Sequence, residues 1–204
     1  MAGTSRQNDG APGGIRREIR RSIWGVARFA SFDARGMHYL NCSMTGLWRS
    51  FLAMLVALPI FFAITALSHR PTEPIHYVNI AVGYGLGWVL FPIVMVPVLL
   101  ALRLEEAYVP LIVAYNWAAV IVYGLDLVTT LLAFADPRLV VSLFLAFHVV
   151  SMLYRWFVAK VALNAGVLIP LVLIVIAEVL DTFMARGLLK IFGPLPLVAI
   201  FQPS

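Results

Sequence analysis

The chain has 204 residues, of which 62% are hydrophobic and 12% charged, with a mean hydropathy of +0.92 and a formal net charge of +5. A soluble domain carries about 25% charged residues, so this chain has roughly half the charge needed to coat a water-facing surface. The same shortage excludes a disordered polymer, and a single cysteine, Cys42, excludes a disulfide framework or a thiolate metal cage.

Residues 1–14 are polar and glycine-rich without an apolar h-region, which predicts a disordered tail rather than a secretory leader. Residues 15–48 read as a cytoplasmic, interfacial segment. Within it Ile15, Ile19, Ile23, Val26 and Ala30 recur at helical spacing, and Arg16, Arg17, Arg20, Arg21 and Arg28 fill most of the remainder. This pattern predicts a basic amphipathic helix lying in the headgroup layer, apolar face down, with Trp24 as an anchor. Anionic headgroups or a partner subunit are its expected ligands. Nucleic acid is not, because the basic residues are few and are not interleaved with stacking aromatics. Ser43 or Thr45 is placed to cap the next helix, and Trp48 and Arg49 sit where interfacial anchors belong.

A bilayer core about 30 Å thick needs about 20 apolar residues. Within residues 49–190, five continuous stretches meet that need: about 51–68, 78–102, 107–134, 139–157 and 162–184. The expected fold is therefore an all-α membrane bundle of five spans preceded by the interfacial helix. Continuous runs favour helices over the alternating segments of a barrel. Residues 191–204 form a short apolar tail containing Pro194 and Pro196. His69, Glu73 and His76 read as solvated residues of the first inter-span loop.

Eight arginines precede the first span. With five spans, Arg103, Arg155 and Lys160 share their side, against Arg70, Arg138, Arg186 and Lys190 opposite. The positive-inside rule then puts the N-terminus in the cytoplasm and the C-terminus in the periplasm of a bacterial inner membrane.

Gly83 and Gly87 form a G-x-x-x-G pair, with Ala114 and Ala118 as a weaker one. Such pairs mark close helix packing, either with another subunit or within the bundle. Pro92 and Pro97 make the second span the most prone to bend.

Ionisable residues inside a bilayer are costly and point to function. Asp126 and His148 each lie roughly 13 Å from the short loop that joins their spans, so antiparallel neighbours bring them to one level. Glu178, with Asp181 on the same face, is expected to join them in an Asp126–His148–Glu178 cluster suited to proton relay or cation binding. The more conservative reading is a single buried Asp126–His148 pair that fixes helix register, with Glu178 and Asp181 near the outer surface facing water. Arg155 is expected to snorkel from the end of its span toward Glu105 or Glu106, and Asn116 and Asn164 to bridge helices. No two histidines within one helix stand at ligand spacing, so no metal or cofactor is expected.

No nucleophile elbow, P-loop, dinucleotide or zinc-protease motif is present, so no enzymatic activity is expected. Two functions follow as expectations. One is a non-enzymatic accessory or scaffold subunit that contacts lipids and other membrane subunits. The other is a small transporter or ion pathway using Asp126, His148 and Glu178.

Overall fold

The computed structural model describes residues 12–68 and 74–192. Most of the predicted tail (1–11), most of the first loop (69–73) and the C-terminal segment 193–204 lie outside the described residues. Among the described residues there are no strands. The helices are α1 (Pro12–Phe29), α2 (Met44–Ser50), α3 (Leu52–Ser68), α4 (Pro74–Leu102), α5 (Tyr108–Ala135), α6 (Val140–Leu163) and α7 (Leu168–Phe192). A short 3-10 segment, Ala34–Tyr39, follows α1.

Four helical stretches are long and apolar enough to cross a membrane: Met44–Ser68, Val78–Leu102, Glu105–Ala135 and Pro137–Leu163. This is the arrangement of an all-α, multi-pass membrane protein. α7 is a further helix of 25 residues, carrying Glu178 and Asp181.

Local chemistry sets the helix limits. Pro12 opens α1, where a missing N–H costs nothing, so the helix takes in residues 12–14 of the expected tail. Ser43 caps α2, its hydroxyl accepting from the Gly46 N–H at 3.1 Å. α1 and α4 both close through a residue in the left-handed region, Phe32 and Arg103. In each case an N–H reaches back to the carbonyl five residues earlier: Asp33 to Arg28 at 3.1 Å, Leu104 to Leu99 at 2.9 Å. Asn164 does not bridge helices, as its sequence position suggested. It is exposed and ends α6 in the left-handed conformation.

α5 is the central helix. It packs on α1, α2, α3 and α6, and Leu111–Ala114 and Asn116–Ala118 are all buried. α4 lies mainly against α7 and only lightly against α5. It stays helical through Pro92 and Pro97. The light α4–α5 contact leaves room between these helices.

α1 departs from the expected placement. Its apolar face is not turned toward lipid; it is seated on α5 and α6, with Ser22, Val26 and Phe29 at 1%, 0% and 0% exposure. The Tyr154 hydroxyl of α6 donates to the Val26 carbonyl at 3.0 Å, and Phe157 meets Phe29 and Phe32 edge-on. Glu18 of α1 accepts from Arg49 at 2.7 Å and from Asn41 at 3.1 Å. Two glycines allow the following segment to close over α1. A Cβ on Gly25 would stand 2.7 Å from the Gly36 carbonyl oxygen, and one on Gly36 2.3 Å from that of Gly25.

Candidate functional site: a cavity between four helices

α4, α5, α6 and α7 line a partly open cavity of about 480 Å³, to which Phe61 and Thr65 of α3 also contribute. This is within the size range of small-molecule sites, about 300–1,000 Å³. Its chemistry is mixed. Phe61, Tyr84, Trp88, Phe91, Tyr115 and Tyr123 supply rings, and Asp126, Arg155 and Asp181 supply charge.

Arg155 is not at a span end. α6 continues to Leu163, so Arg155 stands eight residues, about 12 Å, inside the helix. It does not reach Glu105 or Glu106. Its Nη1 donates to Glu178 Oε1 at 3.2 Å and lies 3.9 Å from Asp181 Oδ2. Glu178 and Asp181 are three residues apart on α7, hence on one face, and both turn toward the same guanidinium. A guanidinium that faces two carboxylates can leave the aqueous surface at far lower cost than one alone.

Asp126 and His148 occupy one level. Asp126 is nine residues before the end of α5, about 13 Å, and His148 eight residues after the start of α6, about 12 Å. Among the described residues no hydrogen bond joins the two side chains, and the Nδ1 of His148 is buried without a partner. Glu178 belongs with Arg155, so the expected three-residue cluster divides. Asp126 and His148 form one level, and Glu178, Asp181 and Arg155 form another, nearer α1. Among the described residues no group of three His, Cys, Asp or Glu side chains is placed to hold a metal ion.

Of the two small-residue pairs, only Ala114 and Ala118 lie inside the bundle. Ala114 and Ala118 are core residues at 0% and 1% exposure. Gly83 and Gly87 border the cavity, and a Cβ on Gly87 would meet only Met184, at 4.0 Å. Asn116 bridges helices as its sequence position suggested. Its Nδ2 donates to Ser50 Oγ at 2.8 Å, and that hydroxyl donates onward to the Leu47 carbonyl at 2.7 Å.

At the α1 end, Arg16, Arg17, Arg20 and Arg21 are exposed and Trp24 is 58% exposed. Trp24 follows Arg17, Arg20 and Arg21 by seven, four and three residues, so it shares their outward face rather than the apolar one. Arg28 is not part of that free surface. It chelates Asp33, its Nε donating to Oδ2 at 2.9 Å and its Nη2 to the same oxygen. Asp33 also accepts from Arg35 Nε at 3.0 Å. Arg35 and Arg28 together hold the Asp33 carboxyl well below the usual carboxylate range.

Sequence reasoning missed the aromatic wall, the Arg155–Glu178 pair and the Gly25–Gly36 contact. The wall had a legible signal: Tyr84, Trp88 and Phe91 recur at helical spacing on one face of a membrane helix. The chain matches no protein-family model, and no curated protein sequence or solved structure is detectably similar to it.

Proposed function

We propose that this is a small, non-enzymatic transporter of a bacterial inner membrane. The cavity between α4 and α7 receives the solute, and the α1 end faces the cytoplasm, as the arginine distribution favours. In this reading α7 crosses the membrane as a fifth span and the C-terminus is periplasmic. The reading rests on one observation. Asp126, Arg155 and Asp181 border a cavity of about 480 Å³ lined by α4, α5, α6 and α7, the first three of them long and apolar enough to cross a membrane. Charge at such depth is tolerated where it lines a water-bearing space or meets a partner. The exposed Arg16, Arg17, Arg20 and Arg21 hold anionic headgroups around Trp24.

The test is two-sided access. Cys42 is the only cysteine, so Cys42→Ser with Gly87→Cys leaves one thiol in the cavity. In right-side-out and inverted vesicles, a membrane-impermeant maleimide should label it from both sides, in proportions that shift with conformation. Labelling from neither side contradicts the reading.

An accessory subunit is the second reading. A tryptophan ringed by arginines on an outward helix face has the composition of a protein-binding hot spot. Native purification as a species free of any co-purifying protein would count against it.

A further inference from the structure

Phe61, Tyr84, Trp88 and Tyr123 form one aromatic wall of the cavity. The Tyr123 ring lies 6.2 Å from Phe61, 6.0 Å from Tyr84 and 6.4 Å from Trp88, and nearly parallel to the last. Asp126 follows Tyr123 by three residues, so its carboxylate borders the cavity on the same face of α5 as that wall.

The charge in and around this space does not balance. Among the described residues lining the cavity, Arg155 is the only cation, and Glu178 and Asp181 already face it at 3.2 and 3.9 Å. Asp126 is left over. Its side chain makes no hydrogen bond among the described residues, and His148, at the same level on α6, does not bond to it. A bound cation would remove the cost of that unpaired carboxylate.

The wall chooses the kind of cation. A hard metal ion needs six or more oxygen ligands or several retained waters, and the cavity offers ring faces instead. Ring faces attract weakly hydrated organic cations, with tryptophan the strongest. Two donors point to further polar atoms on the ligand or its waters. Trp88 Nε1 and Asn79 Nδ2 belong to residues that border the cavity at 5% and 1% exposure, and neither makes a hydrogen bond of normal geometry among the described residues.

We propose that the cavity binds a lipophilic organic cation, such as a quaternary ammonium or phosphonium carrying aromatic groups. Its charge sits between Asp126 and the faces of Tyr84, Trp88 and Tyr123. This rests on the transporter reading above and names its substrate class. A neutral ring with carbonyl acceptors, of the quinone type, would engage Trp88 and Asn79 but leave Asp126 unpaired.

The experiment is equilibrium binding of tetraphenylphosphonium to the purified full chain in detergent. Saturable binding is expected, displaced by ethidium, at least tenfold weaker in Asp126→Asn and in Trp88→Leu, and recovered in Asp126→Glu. Val149→Ala, on an exposed face of α6, should bind as the native chain does. Equal binding by native and Asp126→Asn protein overturns the proposal. So does saturable binding of decylubiquinone without binding of the cation. If the Gly87→Cys thiol is labelled from both sides while tetraphenylphosphonium is not bound, the substrate class fails alone. If that labelling also fails, the transporter reading falls with it.

Discussion

Arg155 of α6 and Glu178 of α7 form an ion pair, Nη1 to Oε1 at 3.2 Å, inside helices that composition alone would call apolar. The pair is not fully enclosed, at 22% and 29% side-chain exposure. Removing one partner of a buried pair costs about 3–5 kcal/mol, and the lower end suits this exposure. Arg155→Met is therefore expected to destabilise by roughly 3 kcal/mol, since it leaves two carboxylates facing each other. Arg155→Met with Glu178→Met should recover most of that loss. Denaturation of the native chain and the two variants in mixed micelles measures both. Equal destabilisation by the single and double variants would show that the pair does not act as a unit.

Asn116 and Ser50 tie the central helix to the junction of α2 and α3. Interhelical hydrogen bonds of this kind couple by about 0.6 kcal/mol on average and by up to about 1.7. A double-mutant cycle with Asn116→Ala and Ser50→Ala should give a coupling in that range. Strict additivity would mean the contact carries no energy of its own.

Gly25 and Gly36 meet backbone to backbone, so neither can give way. Gly25→Ala or Gly36→Ala is expected to loosen α1 from its 3-10 partner at a cost of about 1–3 kcal/mol. Limited proteolysis between residues 30 and 43 reads this out as faster cleavage. Gly85→Ala, with nothing near its added methyl, should be neutral or stabilising by about 0.5–1 kcal/mol through helix propensity. If Gly85→Ala proves the more damaging change, the assignment of the close contact is wrong.

Asp33 sets a pH response at the α1 end. Its folded-state value lies below the ordinary 3.8 because Arg35 and Arg28 favour the carboxylate. The ionised form is the one that folding stabilises. The contribution is therefore complete above that ordinary value and is lost only as pH falls below it. The unfolding midpoints of native and Asp33→Asn protein should differ by a constant amount from neutral pH down to about 5, then converge in stronger acid. Added salt should shrink the difference, because the site is partly exposed and Arg35 is largely so.

Much of the helical layout was legible because the membrane demands long apolar runs. The third expected span, 107–134, matches α5 to within a residue at each end. The shared level of Asp126 and His148 was legible too, since a short loop forces antiparallel neighbours. The fourth expected span ends at 157, where Arg155 and Lys160 resemble a span end, whereas α6 runs on to Leu163. A charged residue continues a membrane helix when a neighbour supplies its counter-ion, and that neighbour, α7, lies more than twenty residues away. The placement of α1 was hidden for a related reason. Periodicity identifies an apolar face but not what covers it, and α5 and α6 took the place assigned to lipid. The G-x-x-x-G pattern likewise reports small residues, not contact. Gly87 borders open space, while Gly25 and Gly36, which share no motif, approach backbone to backbone.

On this account a water-bearing cavity lies among α4, α5, α6 and α7. It is tested most directly by comparing two spin-labelled chains in bilayers, each in the Cys42→Ser background. A label at Gly87→Cys, on the cavity wall, should relax strongly with a water-soluble nickel chelate and weakly with oxygen. A label at Val149→Cys, on an exposed face of α6, should show the reverse. If the Gly87→Cys label favours oxygen as the Val149→Cys label does, α4 faces lipid there and the cavity is not a solute site.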